Sequence, residues 1–323
     1  MNRASLIFAA LLVVLVPLSL LAGRVWIDPA TTPNAALILM ELRLPRAVLA
    51  IVIGAGLGVA GAAMQGYLRN PLADPGLFGI APMAALGAVA SFWIGAAWAV
   101  PAFALSGAAL GMILLALIAG RTPSGAGGGI ALFTLAGLMI ASLAGALTAF
   151  AITMAPSAFA MSQIVMWLNG ALTDRSWAEV WIAAPLTLAG IAVLIVAARS
   201  LDALTLGEDA ARSLGINPSR LLWLLVIGVG LTVGSGVAVA GIIGFVGLIV
   251  PHLVRPFTDR RPSSLIIPSA AAGGLLVLIA DSAVRILPTV TELRLGIALS
   301  LIGAPFFLWL LLKMRRGYSG GMS

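Results

Sequence analysis

Residues 43–79 read RLPRAVLAIVIGAGLGVAGAAMQGYLRNPLADPGLFG. The run from 47 to 66 carries no charge, and about 20 apolar residues in a helix are enough to cross a bilayer core. Gly54, Gly58, Ala62 and Gly66 recur every four residues and so form one stripe along that helix. In lipid such a stripe lets helix backbones approach closely, because hydrophobicity alone gives helices no reason to associate. Charged or proline-rich segments punctuate both ends of the run and mark a helix meeting water.

The same pattern repeats outward from this stretch. Met1 to Gly23 begins with Arg3 and an apolar run, and further runs fall at about 77–99, 102–119, 132–154, 180–198, 220–240, 242–254, 264–283 and 297–312. The first run is longer than the 7–15 residues usual for a signal h-region and reads as a retained span. The eighth is short and carries Gly244, Gly247 and Pro251, which predicts a tilted or incomplete crossing. Gly230, Gly234 and Ala238 repeat the small-residue stripe in the seventh. The chain is 61% hydrophobic and 9% charged, where soluble domains hold about 25% charged residues, so a soluble globular protein is excluded. Continuous apolar runs also exclude an outer-membrane barrel, whose strands alternate in polarity over about ten residues. The expectation is an all-α membrane protein of about ten transmembrane helices, with residues 1–323 forming a single domain.

Cysteine is absent and His252 is the sole histidine, so neither a thiolate site nor a His-rich metal site can be built. The 18 basic residues are 17 arginines and Lys313. A P-loop needs a lysine after its glycines, and Lys313 follows three leucines instead. Any nucleotide that powers this protein binds to another chain. The +7 charge is scattered between apolar runs and offers no face for nucleic acid. With the N-terminus inside, twelve cations fall on the inner side and six on the outer, as the positive-inside tendency requires. Trp26, Trp93, Trp98, Trp167, Trp177 and Trp181 cluster at the outer boundary as an aromatic belt.

Four segments interrupt the apolar pattern. RLPR, Arg43 to Arg46, places two guanidiniums on one helical face, directed either at external carboxylates or at lipid headgroups. In QGYLRNPLADPGLFG, Gln65 to Gly79, prolines force a non-helical turn that Asn70 and Asp74 can cap; it is either a gate or a plain turn. LGEDAARSLGINPSR, Leu206 to Arg220, predicts a short amphipathic helix on the spacing Leu206, Ala210, Ser213, Leu214, with Glu208 and Asp209 in its first turn and Gly215 as its stop. Such a helix suits docking to a soluble partner. GIIGFVGLIVPHLVR, Gly241 to Arg255, places His252 beside Arg255, either as a proton relay or as a packing or capping histidine.

Together with ADSAVR, Ala280 to Arg285, and LIGAPFF, Leu301 to Phe307, these segments closely resemble the permeases of the FecCD family, the type II ABC importers for iron siderophores, haem and cobalamin. The resemblance runs over nearly the whole length. It implies the type II importer permease fold and a homodimer with its path on the two-fold axis. The partners it implies are two ATP-binding-cassette ATPase subunits below, which hold the ATP and magnesium, and a periplasmic or extracellular substrate-binding protein above. It implies a multi-pass protein of the bacterial inner (plasma) membrane, surrounded by lipid, with no cofactor of its own. It assigns docking of the binding protein to Arg43, Arg46 and Arg285, the inner gate to Asn70 and Leu72, and coupling to the ATPase to Leu206, Gly207, Glu208, Asp209, Ala210, Ala211, Arg212, Ser213, Leu214 and Gly215, within a cytoplasmic loop at about 200–219. Three departures stand out: Arg294 where the family usually has proline, Ala81–Met83 in place of a more polar stretch, and GAGGG at Gly125–Gly129.

The functional expectation is a permease subunit without enzyme activity that moves an iron chelate or cobalamin inward by alternating access. An ion-coupled secondary transporter is the alternative; it needs an ionisable group deep in the bundle, and its candidates, Asp74 and Asp281, lie near span ends. A membrane-embedded enzyme lacks a supporting constellation.

Overall fold

The computed structural model describes residues 3–120, 129–289 and 291–319. Among these residues the regular structure is helical throughout. Helix α1 (Arg3–Leu21) is followed by the short α2 (Ala35–Leu37), which a π-helical segment, Ile38–Arg43, joins to α3 (Leu44–Tyr67) as one 33-residue rod. After a 3₁₀ turn, Pro75–Leu77, come α4 (Ile80–Trp93), α5 (Val100–Ala119), α6 (Gly129–Thr153), α7 (Ala158–Leu168) and α8 (Trp177–Leu204). The chain continues through α9 (Glu208–Ser213), α10 (Pro218–Ala240), α11 (Val246–Val254), α12 (Pro262–Ile286) and α13 (Leu295–Ser319). Eight helices among the described residues are long and apolar enough to span a membrane. The third and eighth apolar runs correspond to the shorter α4 and α11, so each of the ten runs contains a helix and the expected count of about ten holds approximately.

One element departs from the sequence expectation and another bears it out. Helix α7 belongs to none of the ten runs: it is only 11 residues long and includes Ser162 and Gln163, and Ser157 caps it by accepting from the Ala160 amide at 3.1 Å. Helix α11 covers only the second half of its run, as Gly244, Gly247 and Pro251 foretold. The preceding residues, Gly241 to Phe245, leave the helix because Gly241 has φ +73° and Phe245 φ +66°, a left-handed region that few side chains adopt. The carbonyl freed at Ala240 accepts from the Ala171 amide at 2.8 Å, and that of Gly170 accepts from the Gly296 amide at 3.1 Å. Irregular backbone survives at such depth only when protein replaces water as its partner.

The small-residue stripe of α3 lies against α12. A Cβ on Gly54 would meet the Gly273 carbonyl, one on Gly273 would meet the Gly54 carbonyl, and one on Gly58 would meet the Ser269 carbonyl. The stripe of α10 serves a different neighbour: Gly230 faces Met112 and Gly234 faces Ala108, both on α5. Helix α1 packs on α12, with Ser19 bonded to Ser282 at 2.9 Å.

The helix ends gather into two polar zones. One joins the end of α8 to the start of α12 through Asp202, which accepts from the Ser263 amide at 2.8 Å. The other joins the π-helical segment before α3 to the start of α8, where the Trp177 indole donates to the Met40 carbonyl at 3.1 Å. This grouping follows the inner and outer sets read from the sequence. Gly54→Ala is expected to cost about 1–3 kcal/mol through forced separation of α3 from α12. It should lower the unfolding temperature in detergent, whereas Gly145→Ala, with nothing within 4 Å of its new methyl, should leave that temperature unchanged.

Candidate functional site: two polar zones and the turns between them

At the first zone α9 packs against the end of α8. Gly207 precedes it with φ +107°, a conformation that favours glycine. Glu208 and Asp209 occupy its first turn and Arg212 its last, each charge suited to its end of the helix dipole. The turn after it places Gly215 at φ +83°, with its amide on the Arg212 carbonyl at 2.9 Å. The residue that anchors α9 is the buried Ala211, not Ala210, while Leu206 and Leu214 are 68% and 62% exposed. The helix foreseen from sequence is present, and the turns on either side of it leave two leucines exposed. Behind it a cavity of about 540 Å³ is lined by Tyr67, Glu208, Arg212 and Pro218.

Beside it, the turn after α3 is built by side chains that answer its own backbone. Asn70 Oδ1 accepts from the Leu72 amide at 3.0 Å, and Asp74 Oδ1 accepts from the Gly76 amide at 2.7 Å. Asn70 is exposed and Leu72 partly so. The turn abuts the start of α11: Asp74, Gly244 and Phe245 share a small cavity of about 80 Å³. Gln65 links the same elements, donating toward the Leu248 carbonyl at 3.3 Å and accepting from Arg255 at 3.0 Å. His252 sits 6.0 Å from the Phe306 ring in an edge contact, a packing histidine. Of the GAGGG run, Gly125–Gly128 lie outside the described residues.

The second zone corrects the expected posture of the arginines. Arg43 caps α1: its Nη1 donates to the Leu20 and Ala22 carbonyls at 2.7 and 3.0 Å, and its Nη2 to the Val25 carbonyl at 2.9 Å. These include carbonyls that a helix end leaves without partners. Arg46 points the other way, donating from Nε and Nη2 to the fully buried Asp281 at 2.8–3.0 Å and from Nη1 to Glu292 at 3.2 Å. Arg285 lies 3.2 Å from Asp281 and donates to the Ser19 hydroxyl and carbonyl at 2.8 and 3.0 Å. RLPR therefore does not present two free guanidiniums on one face. Two guanidiniums and two carboxylates close on each other, because a desolvated charge without a partner costs far more than a paired one. Burial would push Glu292 up, but the Arg46 guanidinium and the Thr173 hydroxyl at 3.2 Å outweigh it and hold the carboxyl below its ordinary value. Asp281 and Glu292, which sequence reasoning left out of the site, are its centre; the signal available was a lone carboxylate within or beside an apolar run. Asp281 is also thereby removed as a free ionisable group for ion coupling.

Residues 11–313 match the FecCD transport family. The chain belongs to this family. It is 36% identical over 282 residues to the Fe(3+) dicitrate transport system permease protein FecD of Escherichia coli K12, covering 86% of each chain. It is 36% identical to the vitamin B12 import system permease protein BtuC of E. coli O9:H4, covering 97% of this chain and 96% of that protein. Similarity to the Fe(3+)-citrate import system permease protein YfmE of Bacillus subtilis is also 36%, over 95% of this chain and 94% of the relative. A solved inward-facing conformation of a metal-chelate type ABC transporter superposes with a TM-score of 0.87 at 28% identity, covering 96% of this chain and 98% of the other. The FecCD chain thus has the type II ABC importer permease fold, and it is a multi-pass transport subunit. Among the described residues no cluster of three His, Cys, Asp or Glu could hold a metal.

Breaking the buried network should be costly. Asp281→Ala leaves Arg46 and Arg285 short of their shared carboxylate and is expected to destabilise the protein by about 3–5 kcal/mol. Thermal unfolding in detergent should show Glu292→Gln losing less, since the Glu292 side chain is 23% exposed against 1% for Asp281.

Proposed function

We propose that this chain is the permease subunit of an ATP-binding-cassette importer that carries an iron chelate, such as a siderophore or haem, or cobalamin from periplasm to cytoplasm by alternating access. It works as a single transmembrane domain in a homodimer in the bacterial inner membrane, served by two ATPase subunits and a substrate-binding protein. The observation that carries this reading is α9, a short helix at the end of the bundle flanked by the exposed Leu206 and Leu214. An apolar pair flanking a short charged helix suits a groove in a soluble partner, and residues 206–215 are its coupling element. The relatives named for Fe(3+) dicitrate and vitamin B12 import support the cargo class. The chain contributes no ATP site, and ATP with magnesium resides in the partner.

Nucleotide-driven movement of the ATPases displaces α9 and biases the bundle between two packings, and that bias needs contacts that differ between the states. Asn70 and Leu72 lie at the same polar zone as α9 and serve as the inner gate. Arg43, Arg46 and Arg285 are the docking set for acidic residues of the binding protein. For Arg46 such docking is an exchange, in which a partner carboxylate replaces Glu292 as the less buried of its two acceptors.

Reconstitution of the chain with its ATPase and binding protein should give ATP-dependent uptake of ferric citrate or cobalamin, and the chain alone should give none. Leu206→Asp with Leu214→Asp should abolish capture of the ATPase while leaving the unfolding temperature unchanged. Uptake that persists with the ATPase's catalytic glutamate replaced would instead establish the ion-coupled transporter.

A further inference from the structure

Arg175 and Arg294 are used by none of the arrangements above. They line one cavity of about 250 Å³ at the second polar zone, together with Gln163, Trp167, Thr173 and Asp174. Neither forms an ion pair among the described residues, and Arg175 Nε is buried without a hydrogen-bond partner. The carboxylate at the start of α8 is occupied elsewhere: Glu179 accepts from the amide and hydroxyl of Ser176, both at 2.8 Å, in the capping box of that helix. Arg175 lies just before α8 and Arg294 just before α13, so each sits at the positive end of a helix dipole. Burial, then the charge of Arg294, draws the Arg175 guanidinium below its usual range against the opposing pull of Glu179 and Asp174. Two guanidiniums thus line one cavity without an ion pair of their own among the described residues, and a bound anion would supply the missing partner.

The cavity is more than a charged surface patch. Trp167 forms an edge contact with Phe92 at 6.2 Å and gives it an aromatic wall, while Gln163 and Thr173 add neutral hydrogen-bonding groups. Ala240 borders it and Gly241 borders the small cavity beside Asp74, so the two spaces flank the point where α10 ends. A ligand held here stands at the entrance to the irregular segment between α10 and α11.

We propose that Arg175 and Arg294 form a receiving site for an anionic, carboxylate-bearing metal chelate, so that the cargo of this permease is an anionic chelate in preference to a neutral corrinoid. The site narrows the importer reading and rests on it for its role in transport. Planar guanidiniums suit carboxylates, each of which accepts two parallel hydrogen bonds, and an indole wall beside them suits the apolar body of a chelate.

The test is equilibrium binding to the full-length chain in nanodiscs, with radiolabelled ferric dicitrate and cyanocobalamin as probes. Wild type should bind ferric dicitrate saturably and more tightly than cobalamin. Arg294→Gln should weaken ferric dicitrate about tenfold, the effect of one charge-assisted contact, and Arg175→Gln with Arg294→Gln should abolish it, while cobalamin binding stays as it was. Should the double variant fail to fold, Arg294→Gln alone decides the matter, since Arg294 lies outside the buried network. Absent binding by wild type, equal binding by wild type and variant, tighter binding of cobalamin, or a variant that loses only its grip on the binding protein would each overturn the proposal. Binding needs neither ATP nor partners, so a chain that binds ferric dicitrate but accumulates nothing in the ATP-driven assay would sink the importer reading and leave the site standing.

Discussion

The backbone contact between α3 and α12 is the constraint on which the rest of this structure depends. Gly54 and Gly273 each lack the one atom that would hold the two helices apart, and in lipid the resulting van der Waals contact replaces the hydrophobic drive that water supplies elsewhere. The same approach brings the start of α3 beside the end of α12. There Arg46 reaches Asp281, and Arg285 reaches across to Ser19 of α1. The ion network is thus a consequence of glycine packing, and its charges are tolerable because none is left alone.

The two polar zones obey opposite rules. At the arginine-rich zone Arg43 and Arg46 are bonded within the chain, so a partner that seeks either must compete with carbonyls and carboxylates already in place. At the other zone α9 keeps two leucines in the open and is linked to the bundle mainly by Ala211 and a short turn. The irregular stretches at Gly241–Phe245 and Asn70–Gly79 abut, with Gln65 bridging to α11. Broken helices of this kind give a bundle two ways to pack, because their backbone bonds are made to neighbours and can be remade.

The departures from the family pattern acquire meaning only in three dimensions. Arg294 reads in sequence as an extra charge near the outer mouth, and in the fold it shares a cavity with Arg175. Chains that share an architecture can differ in cargo through a few such side chains while the helices stay constant, which is why a family assignment leaves the ligand open.

The sequence by itself determined what is local. Apolar length set the spans, glycine and proline marked the half-helix at α11, and cap residues with first-turn acids announced α9, because each signal acts within a few residues of where it is written. Helix α7 escaped because its 11 residues are too short to show an apolar period. What only the tertiary structure decided is which charges meet: Arg46 pairs with Asp281 and Glu292 across 235 and 246 residues, and Arg285 with Ser19 across 266. No local pattern encodes such partners. They are chosen by which helices pack, and in lipid that choice belongs to shape complementarity along small-residue stripes summed over the whole bundle.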